Sequence, residues 1–125
     1  MTGHCVITAA YGRPEGPVRT ARGLEYDIFV RTTRALRDGW AARGENFARL
    51  AEAVADNMRL WSVLAADVAG ANNALPQALR AQLFYLYEFT AQHSRKVLDG
   101  AGSVEVLIDI NTAVMRGLRG EGGTR

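Results

Sequence analysis

A chain of 125 residues, 48% hydrophobic and 22% charged, is long enough for one globular domain with one core and too short for two ordinary domains. Its apolar content excludes an intrinsically disordered segment, and a formal charge of +2 is too small to mark a nucleic-acid binder by itself. The single cysteine, Cys5, excludes an internal disulfide and points to a reducing compartment. The start lacks a basic, apolar leader and nothing downstream approaches the ~20 apolar residues of a membrane span, so a cytoplasmic protein is expected.

Residues 1–19 hold two of the three prolines, several glycines, Arg13 and Arg19, and read as a flexible basic arm. Ordered structure is predicted to start between Thr20 and Leu24. A first helix then carries Leu24, Ile28, Thr32, Ala35 and Leu36 on one face and closes near Gly39. A second repeats Phe47, Leu50, Val54, Asn57, Trp61, Leu64 and Val68 at spacings of three and four, and ends at Gly70. Pro76 suits the first turn of a third helix because its missing N–H would be unpaired there. That helix runs to Asp99 with Leu79, Leu83, Leu86, Thr90, His93 and Val97 as its stripe, and the Gly-Ala-Gly at 100–102 stops it. Ser103 is a good N-cap for a fourth helix bearing Val104, Leu107, Asn111, Val114 and Leu118, before a glycine-rich tail at 120–125. No alternating strand pattern competes. The expected fold is all-α: one domain over 20–119, a small bundle of about four helices.

Little in this chain looks catalytic. His93 and Ser94 are consecutive, and on a helix their side chains diverge by about 100°, whereas nucleophilic catalysis needs them in contact. No phosphate-binding glycine motif occurs. His4 and Cys5 offer only two metal ligands, and Glu88 stands five residues before His93 rather than the three of a di-metal carboxylate bundle. The reading is therefore non-enzymatic, with no catalytic residue, metal or cofactor.

Two other patterns carry more. Asn57, His93 and Asn111 each interrupt an apolar stripe, and an unpaired buried polar group costs ~1–3 kcal/mol, so the three are expected to form a hydrogen-bonded polar core. Trp61, Phe84 and Tyr87 lie on or beside the stripes and are expected in the core. Tyr85 and Phe89, four apart, line a second face of the third helix that one stripe cannot bury. With Arg95, Lys96 and Arg116 as a rim, that face is the expected partner-binding site. Ser94 is expected on the outer side of the helix with Arg95 and Lys96, and His93 inward, near Asn57 or Asn111.

The segments "EYD", "NMRLWSVLAADVA", "NALPQALRAQLFYLYEFTAQHSRKVL" and "IDINTAVMRGLRG" resemble the FlaF family of alphaproteobacterial flagellar biosynthesis regulators, over roughly Ala10 to Gly120. That resemblance implies a small helical protein that promotes flagellin production, with flagellin as its expected partner and FlbT as a companion regulator of opposite effect. It assigns no role to His4 or Cys5. The competing reading is a post-transcriptional regulator acting on flagellin mRNA, directly through Arg13, Arg19, Arg22, Arg31, Arg34 and Arg37 or through FlbT. Glu15, Glu25 and Asp27 interleave with those arginines and weaken the RNA reading.

Overall fold

A computed structural model describes residues 17–70 and 75–118, the side chains of 17–25 and 118 excepted. The expected tail at 120–125 and residues 1–16 of the expected arm lie outside it; residues 17–19 are the first turn of a helix. The described residues form α1 (Pro17–Ala41), α2 (Phe47–Ala69), α3 (Gln77–Leu98) and α4 (Glu105–Leu118), with no strand among them. The fold is the expected all-α bundle.

Local chemistry sets the helix ends. Asn46 caps α2, its side-chain oxygen accepting from Arg49 N at 3.1 Å. Pro76 precedes α3 with ψ at 147°, one position before the first turn, so it fixes the entry rather than opening the helix. At the other end of α3, Ala101 N donates to Lys96 O and Gly100 N to Val97 O, with Gly100 at φ 78°. This pairing closes a helix through one left-handed residue, a conformation that glycine adopts without strain. Ser103 Oγ then accepts from Glu105 N at 3.0 Å and opens α4, whose acidic Glu105 meets the positive helix end.

The helices pack in a ring, α1 on α2, α2 on α3, α3 on α4 and α4 on α1, with α3 and α4 touching least. Neighbours run antiparallel, because one apolar cluster joins Leu36 late in α1, Leu50 and Val54 early in α2, Val97 late in α3, and Leu107 early in α4. The second cluster is built on Phe29, Leu60 and Trp61, with Leu83, Leu86, Tyr87, Ile110 and Val114 packed against it. Phe29 meets Trp61 edge-on at 5.9 Å. Burying side chains of this size stabilises the fold by on the order of 1.5–3 kcal/mol each.

Two expected faces are rotated. The buried line of α1 is Phe29, Thr33 and Leu36, while Ile28, Thr32 and Ala35 are half-buried, so the face is centred about one residue later than the sequence pattern suggests. Phe47 lies in the first turn of α2 and is 47% exposed, because it precedes the depth at which the other helices cover this one.

A polar layer separates the two clusters. Asn111 Oδ1 accepts from Trp61 Nε1 at 2.9 Å, and Asn111 Nδ2 donates to Asn57 Oδ1 at 2.8 Å and Thr33 Oγ1 at 3.1 Å. One amide thus ties α4 to α1 and α2. Its truncation strands three buried groups, so Asn111→Ala should lower unfolding free energy by about 2–4 kcal/mol in urea titration.

The backbones of α1 and α2 approach closely at Gly39. A Cβ built on Gly39 would sit 2.9 Å from Leu50 Cα, and backbone cannot yield as a flexible side-chain tip can. Gly39→Ala should cost about 1–3 kcal/mol through helix separation. Gly44→Ala, which meets nothing within 4 Å, should leave the melting temperature within the range of an ordinary surface change.

Candidate functional site: the aromatic surface of α3

Six large hydrophobic side chains are exposed among the described residues, and five belong to α3: Leu79, Phe84, Tyr85, Phe89 and Leu98. The reason lies in the helix's pattern. Only Thr90, Ser94 and Val97 of α3 are buried, all in its second half, while apolar residues occupy nearly every direction of its first half. A helix apolar on several sides is covered on one by its own bundle and leaves the others open.

The exposed residues fall on two flanks. At about 100° per residue, Tyr85 and Phe89 share one side with Lys96, while Phe84 and Leu98 lie on the opposite side of the buried line. Phe84 contacts Tyr87 at 5.8 Å between ring centroids. Phe89 stacks on His93 at 5.9 Å with rings nearly parallel, 10° apart. His93 Nε2 lies 2.8 Å from the Ser103 carbonyl, which only accepts, so Nε2 carries the hydrogen. This histidine leads from the Tyr85 side of α3 to the turn before α4, placing that flank beside the thin α3–α4 seam. Gly102 lets the ring in: a Cβ there would meet His93 Cε1 at 3.1 Å.

Three sequence expectations are corrected. His93 does not join Asn57 and Asn111 in the core; it is half-buried and holds Phe89 against the α3–α4 turn. Ser94 takes the inward place, at 3% exposure, because the buried line continues from Thr90 by four residues to 94 rather than by three to 93, a rotation of about 100°. Phe84 is 41% exposed rather than core, since it points more than a quarter turn away from that line. Thr90 is buried on the stripe where the sequence placed it, while sequence reading missed Thr33 and the role of the Trp61 N–H; an indole that must donate when buried was the available signal. The buried hydroxyls of Thr90 and Ser94 find no hydrogen-bond partner among the described residues, and neither does Asn57 Nδ2.

Arg95, Lys96 and Arg116 are all exposed. Lys96 stands on the Tyr85–Phe89 flank, Arg95 about a quarter turn from it, and Arg116 on the outward side of α4 near the level of Tyr85. The exposed carboxylate of Glu88 lies between Tyr85 and Phe89 along α3, so charge near the surface is mixed. A shallow cleft of ≈ 280 Å³ lies between α1 and α2, where Arg31, Arg34 and Arg49 alternate with Asp38, Glu52 and Asp56. Arg49 lies 3.8 Å from Asp38, and Arg59 pairs with Asp56 in the same helix. This is a solvated face of mixed charge. Among the described residues no three His, Cys, Asp or Glu side chains group as a metal site, and no helix is long and apolar enough to cross a membrane.

A family model described as "Flagellar protein FlaF" matches residues 7–118. No curated protein and no solved structure gives a match.

The arrangement separates the two polar positions experimentally. His93→Ala should cost no more than about 1.5 kcal/mol in urea unfolding, well below Asn111→Ala, because its ring is partly in water and holds one hydrogen bond. Equal losses would place His93 in the core after all.

Proposed function

The chain belongs to the FlaF family of flagellar proteins, and we propose that it serves flagellum biogenesis as a non-enzymatic binding module that holds a helical segment of flagellin and so promotes flagellin synthesis or export. The observation that carries this reading is the concentration of exposed aromatic and aliphatic side chains on one helix. A partner helix docks on such a surface through apolar anchors one helical turn apart, and Tyr85 and Phe89 supply that spacing. Aromatic anchors contribute most of the affinity in such interfaces, and Lys96, Arg95 and Arg116 would form the charged rim.

RNA is the weaker occupant. The arginines of α1 that would contact phosphate share their cleft with Asp38, Glu52 and Asp56, so that surface does not present a field of one sign. Phosphate contacts would make affinity fall steeply with salt, whereas apolar docking would not.

The test is a binding titration of flagellin with the full chain and the Tyr85→Ala/Phe89→Ala double variant. Affinity should fall at least about tenfold, while melting shifts little, since neither side chain is buried. Unchanged affinity sinks the proposed surface. Capture of FlbT, but not flagellin, through the same two residues would keep the surface and replace its occupant.

A further inference from the structure

We infer that the chain pairs with a second copy of itself through the α2-facing flank of α3, the two α3 helices crossing antiparallel about a two-fold axis beside Ala91. This flank is not the one that carries Tyr85 and Phe89, and the inference does not rest on the flagellin reading.

Spacing defines the flank. Phe84, Glu88, Ala91, Arg95 and Leu98 follow one another in alternating steps of four and three, so at about 100° per residue they share a stripe about 80° wide. Helices pair along seams with this repeat, and the bundle itself uses the neighbouring line of Thr90, Ser94 and Val97. Arg80, one turn before Phe84 on the same side, shows which way the stripe faces: its Nη1 donates to the Val68 carbonyl of α2. Phe84 and Leu98 are 41% and 39% exposed, Ala91 is half-buried, and Glu88 and Arg95 are exposed. Two large apolar side chains therefore stand seven residues to either side of a small one, with one charge of each sign between.

The adjoining side of α2 is free of charge. Ala51, Ala55, Met58 and Ser62 recur there at the same spacing, half-buried or exposed. They lie more than a quarter turn from Arg49, Glu52 and Asp56, which line the cleft against α1. Small side chains on this side leave room for a helix laid over the α2–α3 seam.

The charges select the occupant. Under a two-fold axis beside Ala91, Glu88 of each copy comes level with Arg95 of the other, to within one residue rise of about 1.5 Å, and Phe84 comes level with Leu98. Such an interface uses the same patch twice, so both ion pairs form together. A parallel crossing would set Glu88 against Glu88 and Arg95 against Arg95. Neither residue has an ion pair among the described residues, so both charges are available for this pairing. A patch two helices wide and about 21 Å long is at the small end of specific interfaces, which places the dimer at micromolar strength.

Sedimentation equilibrium of the full chain from about 1 to 300 μM should show the mass rising from one chain toward two. Glu88→Arg and Arg95→Glu each set like charges opposite one another twice per dimer, and each should raise the dissociation constant at least about tenfold. The double swap Glu88→Arg/Arg95→Glu restores both pairs with the signs exchanged, and should return the constant to within about threefold of the original. Both side chains are exposed, so circular dichroism should show unchanged helicity and melting. A chain that stays monomeric over the whole range overturns the inference, and so does a dimer indifferent to the single reversals. Weakening by both reversals without rescue in the swap also overturns it, because Glu88 and Arg95 then do not face each other. A dimer lost only in the Tyr85→Ala/Phe89→Ala chain would put the pairing on the opposite flank and refute it equally.

Discussion

The carboxamide of Asn111 fixes how the bundle fits together. It accepts from Trp61 and donates to Asn57 and Thr33, and it does so between two apolar clusters. Apolar packing alone tolerates a helix sliding by a turn, since leucine and valine contacts are interchangeable. Buried hydrogen bonds do not, because each shifted register strands a polar group at a cost of ~1–3 kcal/mol. The layer therefore sets the height of α1, α2 and α4 against one another, and the close approach at Gly39 fixes the separation of the first two.

The third helix is outside that agreement. Its inward residues are Thr90, Ser94 and Val97, and the two hydroxyls make no bond to the rest of the core. What α3 gives up in burial it presents at the surface, where Tyr85 is mostly exposed and His93 steadies the partly exposed Phe89 against the α3–α4 turn. On the reading proposed above, a three-helix frame held by the polar layer would position the exposed aromatics of α3 while depending little on them for stability.

Surface charge follows the same division. The α1–α2 side alternates arginine with carboxylate, a pattern that solvates a face without selecting a polyanion. The aromatic side carries an exposed carboxylate, Glu88, between Tyr85 and Phe89 along the helix and the cations Arg95 and Lys96 toward the C-terminal end of α3.

The sequence by itself determined the four helices and the ends at Gly70, Asp99 and Ser103, because spacing of three and four, Ser103 before an acidic turn, and glycine after Asp99 act through contacts within a few residues; the Asn46 cap and the run of α1 from Pro17 past Gly39 to Ala41 were not read from it. Its motifs also identified the family, and the excess of aromatics on α3 marked the helix that carries most of the exposed large apolar side chains among the described residues. The rotation of each helix was decided only in the tertiary structure. Stripe positions three and four residues apart differ by about 100°, and which of His93 or Ser94 faces inward depends on where α2 and α4 lie, information that no local pattern carries. The same holds for Phe29 against Ile28 in α1, and for the meeting of Asn111 with Asn57, Thr33 and Trp61, residues 54, 78 and 50 positions away, whose pairing exists only once the ring of helices has closed.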